Sequence, residues 1–170
     1  MATQLPVRIE FRLPDGWQAA PPDEVGAPGV AFVALHPASC ATEGGFTANI
    51  TIAGQVRDPA LTMLALADES VRRLEQNAGT VHVRSRTELG SPEAPGLTQA
   101  LDILATVRGE ALPLVQTQVL VSMTDVDDPT KRVVLELVLT CTAEQLDAVI
   151  GDFQEFVRTV RPAEAEAGRS

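Results

Sequence analysis

The apolar positions of this chain change period near its end. From Arg132 the sequence reads Arg-Val-Val-Leu-Glu-Leu-Val-Leu-Thr140, which puts Val133, Leu135, Leu137 and Leu139 on one side. Val134 and Val138 flank Glu136 on the other, and a period of two is that of a β-strand. Beyond Leu146 the period becomes three to four, through Val149, Ile150, Phe153, Phe156, Val157 and Val160. That spacing draws one apolar stripe down an amphipathic helix. Between the two lies Thr142-Ala-Glu-Gln145, a capping box in which the threonine hydroxyl and the glutamine side chain each satisfy the other residue's free amide. Pro162 is expected to stop the helix, because proline pushes the residue before it out of helical geometry. Burying such a stripe is worth at most about 10–15 kcal/mol at ordinary transfer values.

The same reading predicts the other elements. Val7, Ile9, Phe11 and Leu13 alternate with Arg8, Glu10 and Arg12 as a half-buried strand, and Pro14-Asp-Gly16 is turn chemistry. Strands are expected over 30–36 and 46–53. Asp58-Pro59 is expected to open a helix, as an N-cap acceptor followed by a proline at the first position. Its apolar face would be Leu61, Leu64, Ala65, Ala67 or Asp68, Val71 and Leu74, with Gly79 as its stop. Four strands follow over 80–89, 97–107, 114–123 and 132–140. The order is β-β-β-α-β-β-β-β-α. Short links between strands mean antiparallel neighbours, since a parallel pair needs a long crossover. The expected fold class is therefore α+β, a single antiparallel sheet of about six to seven strands with two main helices. Residues 1–162 are read as one domain and 163–170 as a frayed tail.

Composition narrows the function. The chain has 170 residues, 45% hydrophobic and 21% charged, and 13 basic against 23 acidic side chains give a net charge of −10. That sign opposes nucleic-acid phosphate and anionic lipid, and Lys131 is the only lysine. No run of apolar residues is long enough to span a bilayer. The opening Met1-Ala-Thr-Gln-Leu-Pro6 has neither the charged nor the apolar part of a secretory signal, so a cytoplasmic location is expected. Cys40 and Cys141 allow one disulfide, but their spacing does not demand it.

Candidate chemistry is sparse. His36 and Cys40 lie four apart, yet nothing nearby supplies the electropositive setting of a reactive thiol. His82 sits in an alternating strand. Asp125, Asp127 and Asp128 lack the glycine and distal glutamate of a calcium loop, so a solvated hairpin tip is expected. No phosphate-binding loop, dinucleotide fingerprint, zinc motif or nucleophile elbow occurs, and no cofactor or metal is implied. The second face of the strands is more informative. Asn49, Arg84, Arg86, Asp102, Gln116, Gln118 and Glu136, with Thr47, Thr51 and Glu88, would share one side of the sheet if the registers hold. With both helices on the apolar face, that side is either a shallow binding surface or an ordinary solvated face.

Three stretches carry a family resemblance. Phe11-Arg-Leu-Pro-Asp-Gly-Trp17, the helix over 61–77, and Cys141-Thr-Ala-Glu-Gln-Leu-Asp147 with Phe153-Gln-Glu-Phe156 and Val160-Arg-Pro162 resemble the bacterial LpqN type of PsbP-like domain. That superfamily also holds a photosystem extrinsic subunit, a Ran-binding nuclear import factor and chaperones of type VI secretion effectors. The resemblance implies an α/β/α sandwich and a protein-binding role, and it brings no catalytic residues. LpqN-type members are often lipoproteins, whereas this chain shows no signal or lipid-attachment cysteine. The expected function is a non-enzymatic adaptor or chaperone-like module that binds another protein. The alternative is a small-molecule binder or minor hydrolase with a pocket between sheet and helix, which needs Asp102 and Glu136 to converge. A homodimer through an exposed sheet edge is a third expectation.

Overall fold

The segment Arg132–Cys141, apolar on both sides, is the middle strand of the sheet. In the computed structural model, residues 9–21, 30–39, 46–77, 79–90, 95–107, 109–124 and 132–162 are described. In chain order they form β1 (Ile9–Glu10), β2 (Gln18–Ala20), β3 (Phe32–Leu35), β4 (Asn49–Arg57), α1 (Met63–Asn77), β5 (Gly79–Gly90), β6 (Pro95–Val107), β7 (Glu110–Thr124), β8 (Arg132–Cys141), α2 (Ala143–Thr159) and β9 (Arg161–Pro162). Seven strands make one antiparallel sheet in the order β2-β3-β4-β8-β7-β6-β5, and β1 pairs with β9 beside it. The antiparallel α+β layering expected from the short links is what forms. Two strands, β2 and β9, went unanticipated, since two or three residues carry too little alternation to read.

The chain enters the sheet at one end through β2, β3 and β4. It then leaves along α1 to the far edge and returns as the meander β5-β6-β7-β8, closing against β4. α1 therefore has to cross a face of the sheet.

The C-terminal elements follow the sequence closely. Thr142 caps α2, and both bonds of the capping box form, to the Gln145 amide and from the Thr142 amide. Val149, Phe153 and Phe156 are buried, and Leu146, Ile150, Val157 and Val160 pack beside them. They lie on Ile50, Ile52, Leu137 and Leu139. The helix ends at Thr159. Val160 is already extended, which frees Arg161 and Pro162 to pair with β1. Phe11 stacks edge-on against Phe32 and Phe156 at 4.9 and 5.3 Å, and the Trp17 indole donates to Asp152 at 3.0 Å. The N-terminal segment thus straps α2 to the sheet.

α1 departs from expectation twice. It begins at Met63, with Thr62 as its cap, and the Thr62 hydroxyl accepts from the Ala65 amide at 3.0 Å. Asp58 and Pro59 form a turn instead, where the Asp58 carboxylate accepts from the Ala60 amide at 2.8 Å. The Arg132 guanidinium holds that turn open by donating to the Asp58, Pro59 and Leu61 carbonyls, which a helix would otherwise use. The helix is also rotated. Met63, Leu66, Ala67 and Ser70 face inward, while Leu64 is 42% exposed.

Gly79 fits its tight link to β5. Its φ is +123°, and a Cβ there would lie 2.5 Å from the Leu104 carbonyl oxygen.

Phe153→Ala is expected to cost about 3–5 kcal/mol in urea unfolding, the range for a fully buried aromatic. Leu64→Ala, on the exposed side of α1, should cost under about 0.5 kcal/mol. Equal losses would overturn the assignment of faces.

Candidate functional site

The polar side of the sheet is where the candidate residues gather, and it is not open along its length. Both helices were expected on the apolar face, but α1 lies on the polar one. Ridges of Met63, Leu66 and Ala67 meet Leu97, Leu120 and Val134, residues whose side chains share that face with the glutamines. The sheet is therefore covered from both sides, α2 on one face and α1 on the other.

Register fixes which candidates come together. Gln99 pairs with Gln118, Leu120 with Glu136, and Asn49 with Thr140, so Asn49, Arg86, Gln116, Gln118 and Glu136 all lie on the face of α1. Arg84 and Asp102 do not. Asp102 is one residue out of phase with Leu101 and Ile103, and Arg84 falls in a β-bulge between Val83 and Ser85. Both point to the face of α2, where Arg84 Nη2 meets Asp102 Oδ1 at 2.6 Å, half exposed. A bulge inserts one residue and shifts the alternation after it, which no period-two reading anticipates.

On the face of α1 the polar groups form one connected network. Gln118 is 2% exposed and Gln99 1%. Gln99 Nε2 donates to Gln118 Oε1 at 2.7 Å, and Gln118 Nε2 donates to Gln116 Oε1 at 2.7 Å. The buried Ser70 hydroxyl lies 3.1 Å from Gln118 Oε1 and 3.3 Å from Glu136 Oε1. Arg73 donates to both Glu136 oxygens, at 3.0 and 3.2 Å. Arg86 joins Gln99 at 2.9 Å to Asp68 at 2.8 Å. Every strand from β5 to β8 contributes, and every branch except the one ending at Gln116 reaches α1. Asn49 stands apart and donates to the Thr47 carbonyl at 3.2 Å.

Several partners in this network were missed in the sequence. Ser70 interrupts the apolar series Met63-Leu66-Ala67, and Gln99 stands between Leu97 and Leu101 on one strand face. A polar residue at an apolar phase was the available signal. At the end of β4, Arg57 forks onto both Glu69 oxygens. That hydrogen-bonded pairing holds the Glu69 carboxyl below its ordinary 4.5 and raises Arg57.

Among the described residues, two openings lie at the candidate residues, and a third of about 290 Å³ lies between α2 and Thr98, Thr117 and Val119. Beside α1, a groove of about 290 Å³ is floored by Thr51, Ala53, Gln116, Gln118 and Val138, with the Arg73–Glu136 pair at its wall. On the opposite face, between β5, β6, β7 and the start of α2, lies a mostly apolar hollow of about 310 Å³. Leu104, Pro113, Val115 and Ala143 line it, and His82, Arg84 and Asp102 form its rim. Asp102 and Glu136 lie on opposite faces, so they cannot act as one acid–base pair. Burial pushes the Cys141 thiol up to about 11, which suits an inert core residue. Cys40 and the aspartates at 125–128 lie outside the described residues. Among the described residues no three His, Cys, Asp or Glu side chains cluster as metal ligands, and no helix is long and apolar enough to cross a membrane.

No protein-family model matches the chain, and no curated protein matches it by sequence. Solved structures do. LpqN of Mycobacterium tuberculosis, involved in cell envelope biogenesis, superposes with a TM-score of 0.63 at 10% identity, over 91% of this chain and 83% of that one. The cyanobacterial PsbP of Synechocystis gives 0.57 at 14%, over 91% and 86%. The Ran-binding protein Mog1p of Saccharomyces cerevisiae gives 0.57 at 17%, over 91% and 89%. At such identities the likeness shows the fold, and the fold is PsbP-like.

Gln118→Leu is expected to cost about 1–3 kcal/mol, because it removes the shorter of the two acceptors of Gln99 Nε2 and of the Ser70 hydroxyl and leaves Gln116 Oε1 without its donor. Arg84→Ala, on a half-exposed pair, should cost under about 1 kcal/mol. Chemical denaturation of both variants checks this. Glu69 gives a second test. Its folded pKa is depressed, so its contribution is complete above 4.5 and fades as pH falls through the lower folded value. The stability gap between the protein and Glu69→Gln should be constant near neutrality and shrink below pH 4.5. A gap that widens in acid would refute the pairing.

Proposed function

We propose that this chain, with its PsbP-like fold, is a non-enzymatic protein-binding module, an adaptor or chaperone-like domain working in the cytoplasm. The observation that carries the reading is the offset of the two helices. α1 packs over β5 to β8 on one face, while α2 packs over β3, β4, β7 and β8 on the other. Each face is left open at the end the helix does not reach. On the face of α2 that open end holds the apolar hollow, with Leu104 47% exposed beside it. An apolar hollow with a charged rim suits the side chains of a polypeptide partner better than a polar metabolite.

The polar groups favour the same reading. Those that could have formed a catalytic set are bonded to one another and to α1, and the carboxylates that would have to cooperate are on opposite faces. The yeast neighbour's binding of Ran supports the view that this fold can serve protein recognition. It supplies no partner here, since a fold hosts many functions.

Native mass spectrometry on the protein isolated gently from its own cells is the test. A second polypeptide should accompany the chain, and Leu104→Asp should release it without lowering the unfolding temperature. A chain carrying only a small extra mass would favour a small-molecule ligand and count against the proposal.

A further inference from the structure

We propose that two copies of this chain pair through the outer edge of β5, antiparallel about a two-fold axis at Thr87, to make one continuous sheet. This rests on the edge itself and is independent of what the apolar hollow binds.

β5 ends the strand order, and among the described residues no strand lies beyond it. It is twelve residues long. A long free edge is a template for another strand unless something blunts it. Here the blunting is partial. The bulge between Val83 and Ser85 breaks one end, and Gly90, at φ +81°, turns the other. Between them the backbone of residues 85–89 is regular and pairs residue for residue with β6.

In an antiparallel pair, residues directly opposite must point to the same face. A symmetric pair must therefore be centred on a residue, and the centre of 85–89 is Thr87. That register sets Arg86 opposite Glu88 of the second copy, and the reverse, on the face of α1. It sets Ser85 opposite Leu89, which is 47% exposed, and Thr87 opposite its own copy. Opposite charges, a small residue facing a large one, and a threonine pair are all favourable cross-strand neighbours. The adjacent registers fail. Centring on Ser85 sets Arg84 against Arg86 and runs through the bulge. Centring on Arg86 or Glu88 sets that charge against itself.

The charged groups are available for this. Arg86 uses Nε for Gln99 and Nη1 for Asp68, so Nη2 is not engaged by either bond. Glu88 is exposed and has no ion pair among the described residues. The bond Arg86 makes to Asp68 orients it before the second copy arrives.

Sedimentation of the full chain from micromolar to several hundred micromolar should show a monomer–dimer equilibrium. Glu88→Arg puts like charges opposite each other twice and should weaken the dimer at least about tenfold, with an unchanged unfolding temperature. Thr87→Cys adds a test of position. Residues opposite one another across an antiparallel pair lie within disulfide reach, so this variant should form a covalent dimer with oxidised glutathione. Val56→Cys on β4 and the unmodified chain should not. A chain that stays monomeric throughout, with Thr87→Cys uncrosslinked, would overturn the proposal. So would a dimer that Glu88→Arg leaves intact and Thr87→Cys does not trap.

Discussion

A buried amide is costly unless each of its donors and acceptors finds a partner, and two buried glutamines impose that condition on this protein. Gln99 and Gln118 sit side by side on neighbouring strands in nearly complete burial. Their requirements reach outward to Gln116 and Arg86 on the sheet, and to Ser70 and the Ala67 carbonyl on α1. Apolar contact alone would tolerate α1 at many rotations. Hydrogen bonds of fixed length and direction select the one in which Ser70 faces the glutamines and Leu64 faces water.

The topology makes that selection consequential. The chain must travel from β4 in the interior to β5 at the edge, and α1 is the segment that spans the distance. Its start is held by Arg132 at the first residue of β8, which binds the turn after β4 and the Ser122 hydroxyl of β7 together. Its flank is held by Arg57–Glu69 and Arg73–Glu136. The last strand to enter the sheet therefore carries groups that fix the helix preceding the meander, and the two halves of the sheet stabilise each other.

The helices on the two faces are secured by different physics. α2 is bound by a dry aromatic and aliphatic layer with a capped end, and its position follows from burial. α1 has a smaller apolar ridge and depends on a polar seam. This offset and unequal covering leaves one end of each face open. Structures of the same fold are drawn from cell envelope biogenesis, a cyanobacterial PsbP and Ran binding. The framework is what they share with this chain, and the open ends of the faces and the edge are where such proteins are free to differ.

The sequence alone determined the alternating strands, the antiparallel meander, the α2 stripe and its capping box. Each is a local pattern read over a few residues, and burial rewards the same pattern in any fold that uses it. The PsbP-like resemblance was legible for the same reason, because its motifs are a turn and a capped helix. The candidate residues were legible only as types. Arg86, Gln116, Gln118 and Glu136 do meet on one face, but the sequence could not show that α1 lands on them. It also could not show that a one-residue bulge sends Arg84 to the other side, or that Arg132 would unwind the expected start of α1. Those outcomes depend on hydrogen bonds between residues 10 to 74 positions apart. Only the tertiary structure decides them, because a polar side chain's partner is chosen by proximity in space and leaves no period in the chain.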